Sequence, residues 1–163
     1  MDDRERKNRP GAREQDPWPV ALRLLTRRDH SRAELQRKLL QRGFDAEAVT
    51  RVLDRCRQLG YLDDRRYAEQ LARSLAGSGR AVGRRLELEL KKRGIESSLV
   101  EQACAAVDAR TDRGNLIIDL AARRYPGFDY ARADDARRRR VVNFFLRRGF
   151  PLGEILAALN SER

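Results

Sequence analysis

Leu39-Leu40-Gln41-Arg42-Gly43-Phe44, Leu90-Lys91-Lys92-Arg93-Gly94-Ile95 and Phe145-Leu146-Arg147-Arg148-Gly149-Phe150 are three versions of one phrase. Their glycines stand 51 and then 55 residues apart, and the match extends without a gap on both sides. Eight residues before the glycine stand Leu35, Leu86 and Val141; four before it, Leu39, Leu90 and Phe145. Six residues after it stand Val49, Val100 and Ile155, and ten after it Leu53, Cys104 and Leu159. Apolar residues at i and i+4, a glycine, then a restarted period read as helix, stop, helix. Glycine suits the stop because a helix often ends on a left-handed residue, a conformation that side chains resist.

The signals for helix starts agree with this reading. Ser31 followed by Glu34 forms a capping box, Asp45 and Ser97 are expected N-caps, and Pro151 suits a first helical turn. Each unit also has an earlier helix, expected near 18–28, 64–76 and 110–124, with longer loops at Ala76–Gly79 and Pro126–Ala131. The expected fold is therefore all-α: three tandem three-helix repeats, 17–63, 64–108 and 109–163, forming an elongated curved array. Units of about 50 residues are marginal alone and are expected to stack. Residues 1–16 carry five acids and five bases with no periodicity and are expected to form a disordered polar arm.

Composition points to the class of partner. Of the 163 residues, 36 are Lys or Arg and 25 Asp or Glu, a net charge of +11, which favours a polyanion over an acidic small molecule. Single- or double-stranded nucleic acid, bound without sequence specificity, leads. No stretch approaches the roughly 18 apolar residues of a spanning helix, so no membrane partner is expected. The N-terminus lacks the apolar core of a signal peptide, and a cytoplasmic location is expected. Cys56 and Cys104 each lie in an apolar helical pattern without a cysteine or histidine cluster, and are read as buried, reduced thiols.

No catalytic residue, metal site or cofactor is expected. The one histidine, His30, lies in a turn before Ser31 with no nucleophile or carboxylate constellation around it. Asp63-Asp64 and Asp134-Asp135 precede helices, where the helix dipole stabilises carboxylates. Gly77-Ser78-Gly79 with Gly83 joins two helices and follows no strand, which argues against a nucleotide loop.

The basic excess is unequal: residues 17–64 carry +3, 65–108 carry +3, and 109–163 carry +5. Arg85 and Lys92 share a face of the second helix of repeat two, and the aligned residues of repeat three are Arg140 and Arg147. Arg84 aligns with Arg139. Repeat one has Ala33, Glu34 and Gln41 at these positions. Arg137 and Arg138 extend the surface, as do Arg123 and Arg124. A solvated face of no function is the alternative reading. Arg42, Arg93 and Arg148, each just before a glycine, suit either a helix C-terminus or a binding role. A helix-turn-helix reader of base sequence is disfavoured, because the helices over 97–107 and 152–160 hold no Lys or Arg at all. Phe144 and Tyr130 are the aromatic candidates for base stacking, with core packing as the alternative.

These residues also resemble a known family. Ser31-Arg-Ala-Glu-Leu35 with Lys38-Leu39, Gly60-Tyr-Leu-Asp-Asp64 with Arg66-Tyr67-Ala68, Leu88-Glu-Leu90 with Lys92-Arg-Gly-Ile95, and Phe145-Leu-Arg-Arg-Gly-Phe150 look like successive signatures of RecX proteins. The resemblance covers about residues 18–160. It implies a fold of three three-helix repeats and a non-enzymatic regulator in recombination, DNA repair and the SOS response. Its implied partner is the recombinase RecA and the filament RecA forms on single-stranded DNA, whose strand exchange, ATP hydrolysis and co-protease function it restrains. A monomer is expected. On this reading Arg84, Arg85, Lys91, Lys92, Arg137, Arg138, Arg139, Arg140, Arg147 and Arg148 form the DNA- or filament-facing surface. Tyr61, Leu62, Asp63, Asp64 and Tyr67 are expected to join repeats one and two. The alternative is a sequence-independent DNA-binding repeat protein without a recombinase partner.

Overall fold

The glycine-terminated phrases fold as their periodicity dictates. In a computed structural model that describes residues 16–161, Gly43, Gly94 and Gly149 take φ of +83°, +72° and +93°. The backbone amide five residues past Leu39 and Phe145 still reaches them: Phe44 N donates to Leu39 O, and Phe150 N to Phe145 O, the six-to-one bond of a glycine C-cap. Arg42 and Arg148 then each bend a guanidinium back onto the carbonyl four residues earlier, Lys38 at 2.9 Å and Phe144 at 3.1 Å. The arginine before the glycine is therefore part of the helix stop in these two copies.

Among the described residues there are nine helices and no strand. They are α1 (Trp18–Arg27), α2 (Arg32–Leu40), α3 (Ala46–Gln58), α4 (Asp64–Gly77), α5 (Gly83–Lys92), α6 (Ser97–Asp108), α7 (Arg113–Arg124), α8 (Asp135–Leu146) and α9 (Leu152–Asn160). None is long and apolar enough to cross a membrane. The polar arm expected over 1–16 lies outside the described residues except for Asp16, whose carboxylate accepts from Trp18 N at 2.9 Å.

Several helix starts differ from expectation, each for a local reason. The N-cap of α6 is Glu96, not Ser97, because its carboxylate accepts both Ser98 N and Ser98 Oγ, the latter at 2.6 Å. Helix α7 begins at Arg113 because the Asp112 carboxylate takes the Asn115 amide at 3.0 Å and so fixes the cap three residues later than the apolar period suggested. Pro151 is itself the N-cap of α9. Helix α4 runs through Ala76 to Gly77, leaving 78–82 as the connection.

The chain divides into two compact units, Met1–Tyr67 and Ala68–Arg163. In the first, Ala21, Leu35, Leu39, Val49, Val52, Leu53, Cys56 and Leu62 form a core flanked by Trp18, Leu24, Leu25 and Phe44. A polar cluster closes one end of it. Ser31 and Glu34 complete the capping box, Tyr67 Oη donates to Glu34 at 3.0 Å, and Arg28 pairs with it at 3.4 Å. His30 is buried, and its Nδ1 donates to the Arg28 carbonyl at 2.9 Å, so burial of the ring holds its pKa below the ordinary histidine value. The paired acids before α4 do different things: Asp63 caps α4 through Arg66 N, while Asp64 accepts the Arg32 amide at 2.7 Å and so satisfies the start of α2.

In the second unit α5 packs on α6, and both α7 and α8 pack on α9. Leu86, Leu90, Val100, Ile117, Val141, Phe145, Phe150 and Ile155 are buried. Phe145 meets Phe150 edge to face at 5.6 Å, closing the turn after α8. Both cysteines are free and buried, and burial pushes the Cys104 thiol up to about 11, which leaves it protonated and inert at neutral pH.

Candidate anion-binding surface of the second unit

The end of α8 and the start of α5 meet as neighbouring backbones. Val82 N, just before α5, donates to the Arg148 carbonyl at 2.9 Å. A Cβ on Gly149 would collide with the Val82 carbonyl oxygen and stand 2.8 Å from the Arg85 Cβ. Gly149 therefore answers to two demands at once, a positive φ and a close approach that any side chain blocks. The consequence is that Arg84-Arg85 and Arg147-Arg148 occupy adjoining stretches of chain.

On α5 the buried stripe of Leu86 and Leu90 turns two other stripes outward. Arg84 and Lys91 are exposed on one of them, with the exposed Leu88 between, and no carboxylate among the described residues pairs with either. The second stripe holds Arg85, Glu89 and Lys92. Glu89 takes an ion pair from Arg85 at 2.7 Å and another from Lys92 at 3.6 Å, so this stripe is partly neutralised. Sequence reasoning left Glu89 out, although its position four residues after Arg85 and three before Lys92 is the spacing at which helical side chains meet.

On α8 the matching stripe is Arg140, Phe144 and Arg147, and here the middle position is an aromatic ring facing inward, 9% exposed. Arg139, Arg140 and Arg147 are exposed and no described carboxylate pairs with them. Arg137 is exposed with its guanidinium 5.8 Å from the Phe128 ring. Arg138 is more committed: Nε donates to the Tyr130 carbonyl at 2.8 Å, a terminal nitrogen to Ala131 O at 2.9 Å, and Asp135 lies at 3.7 Å. It fastens the α7–α8 connection. Arg148 lies half-buried over Phe144, 3.5 Å from the ring centre, and desolvation together with the neighbouring Arg147 charge lowers its pKa.

The five residues expected at the first junction lie as follows. Leu62 is in the first unit's core, and Tyr61 is half exposed, its ring tilted against Trp18 at 6.4 Å. Asp63, Asp64 and Tyr67 make the α4 cap and the two bonds to α2 described above.

Comparison with known proteins gives a consistent result. The model of RecX, first three-helix domain, matches residues 20–56, and that of RecX, second three-helix domain, matches residues 63–103. The regulatory protein RecX of Syntrophotalea carbinolica is 40% identical over 148 residues, covering 91% of this chain and 97% of the relative. That of Xanthomonas citri is 38% identical over 160 residues, covering 97% and 96%. The crystal structure of RecX from Lactobacillus salivarius superposes with a TM-score of 0.67 at 21% identity, over 86% of this chain and 90% of that one, a likeness of fold.

Proposed function

The chain belongs to the RecX family of regulatory proteins, and on that premise we propose that it binds the recombinase RecA and its filament on single-stranded DNA, restraining strand exchange, ATP hydrolysis and co-protease function. It acts by binding, in the cytoplasm, without a cofactor of its own. The observation that supports this reading is the Val82–Arg148 backbone bond, which joins the start of α5 to the end of α8, as one cationic surface drawn from Arg84, Arg85 and Arg147 requires. A filament of recombinase on DNA presents phosphates and protein side by side. Arg84, Arg139, Arg140 and Arg147, without an ion-pair partner among the described residues, supply long donors for the phosphates, and Arg's planar fork suits them. The exposed Leu88 and Leu146, each beside such cations, give the same surface an apolar component suited to protein.

The test is a strand-exchange assay, or single-strand-dependent ATP hydrolysis by the recombinase, with this protein titrated in. The expected result is a progressive fall in rate; unchanged rates at excess protein overturn the proposal. A second reading, a sequence-independent DNA-binding protein with no recombinase partner, draws on Arg139, Arg140 and Arg147 having no ion-pair partner among the described residues. It predicts the same salt-sensitive DNA binding with recombinase rates unmoved.

A further inference from the structure

The connection between α7 and α8 carries arginines and aromatic rings in alternation. Arg124 lies 5.9 Å from the Tyr125 ring, Arg137 5.8 Å from Phe128, and Arg138 5.3 Å from Tyr130. Phe128 and Tyr130 meet edge to face at 6.3 Å, and both rings keep part of their surface in solvent. Residues 123–148 contain nine arginines and three aspartates. All three aspartates are engaged locally: Asp129 pairs with Arg132 at 3.4 Å, Asp134 caps α8 through Arg137 N, and Asp135 pairs with Arg138. These pairs differ from Arg148 over Phe144, whose ring is buried in the core, because the Phe128 and Tyr130 rings keep solvent-facing surface beside the guanidinium.

We infer that the Arg137–Phe128 and Arg138–Tyr130 pairs form a ledge on which unpaired bases of single-stranded DNA stack. The inference rests on the DNA-binding reading above and names what that surface selects. Arg138 is held by its two carbonyl bonds and keeps Tyr130 fixed, so the ledge is largely preformed. The Arg137 guanidinium has no hydrogen-bond or ion-pair partner among the described residues, and its plane is free to lie on a base. Stacking of this kind tolerates any base, because every base has a π-face, but it requires that the base be unpaired. Phosphates follow along Arg139, Arg140 and Arg147 on the adjoining helical face. The pairing of ledge and cationic stripe makes the surface one that prefers single strands over duplex, beyond what charge alone gives.

The test compares three labelled oligonucleotides of equal length by fluorescence anisotropy with the full-length protein: an ordinary single strand, a single strand whose bases are replaced by abasic sites, and a duplex. The ordinary strand is expected to bind at least about tenfold more tightly than the abasic strand. Arg137→Lys keeps the charge and removes the plane, and is expected to narrow that gap several-fold, weakening the ordinary strand much more than the abasic one. Tyr130→Leu is expected to do the same; should it fail to fold by circular dichroism, Arg137→Lys at its exposed position decides alone. Equal binding of ordinary and abasic strands by the wild type, or an intact gap in Arg137→Lys, overturns the inference. Neither result touches recombinase rates, and conversely a persisting gap with unmoved recombinase rates overturns only the regulatory reading.

Discussion

Aligned on their terminal glycines, α5 and α8 carry cations at the same places and differ in what stands between them. In α5 the middle of the stripe is Glu89, which holds Arg85 and Lys92 in ion pairs; in α8 it is Phe144, which turns inward, and Arg140 and Arg147 have no ion-pair partner among the described residues. The same helical geometry thus gives one stripe whose charge is largely spent within the helix and one whose charge is available to a partner. Exposed pairs of the first kind add little to stability, roughly 0.3–0.5 kcal/mol, so the α5 pairs serve mainly to lower the field there. A count of arginines treats the two helices as equal, and a reading of their neighbours does not.

The comparison presumes that the two helices share one surface, and Gly149 is where it breaks. Gly149→Ala forces a side chain into both a left-handed φ and the Val82 carbonyl, and is expected to destabilise the second unit by about 3 kcal/mol in urea denaturation. Gly43→Ala, with open space around its Cβ, suffers the φ alone and should cost only about 1 kcal/mol. Equal costs would mean that the α5–α8 junction is not the tight approach described. Glu89→Gln sharpens the comparison from the other side: freeing Arg85 and Lys92 should strengthen DNA binding several-fold and steepen its salt dependence by up to about 0.9 log unit for each cation that gains a phosphate. An unchanged affinity would show that the α5 stripe lies outside the contact.

The smallest effect concerns the first unit. His30 has a folded-state pKa below its unfolded value, chiefly through burial, with Arg28 and Lys38 opposing protonation and Glu34 and the Arg28 carbonyl favouring it. The folded state therefore binds fewer protons than the unfolded state between the two values, so stability is complete above about pH 6.5 and falls as pH drops below it. Urea denaturation at pH 7 and pH 5.5 should show a modest loss that His30→Gln abolishes; a loss of equal size in the variant assigns the effect to other groups.

The fold was legible because its signals are local and repeated. Apolar spacing around Gly43, Gly94 and Gly149 placed the second and third helices of every repeat, and the Ser31–Glu34 capping box stands as the sequence predicts. Helix starts set by a carboxylate on an unexpected residue, Glu96 or Asp112, were less legible, since several polar residues in each turn could serve. Asp64 reads as a cap for its own helix, yet it satisfies the start of α2, and a bond between residues 32 apart leaves no trace in local pattern. The cationic residues could be named from sequence, but their inequality could not be read from an alignment of bases alone. Glu89 was available through its spacing; the fastening of Arg138 to the Tyr130 and Ala131 carbonyls, and the meeting of Val82 with Arg148, required the folded chain.

Whether α8 offers more charge to a partner than α5 is decided by the salt dependence of single-strand binding for wild type, Arg140→Gln/Arg147→Gln and Arg85→Gln/Lys92→Gln. The α8 pair is expected to lower the slope of log affinity against log salt by about 1.4 and to weaken binding about 25-fold near 0.1 M salt, while the α5 pair changes the slope by less than about 0.7. Equal losses from the two pairs, or a larger loss from α5, would contradict that expectation.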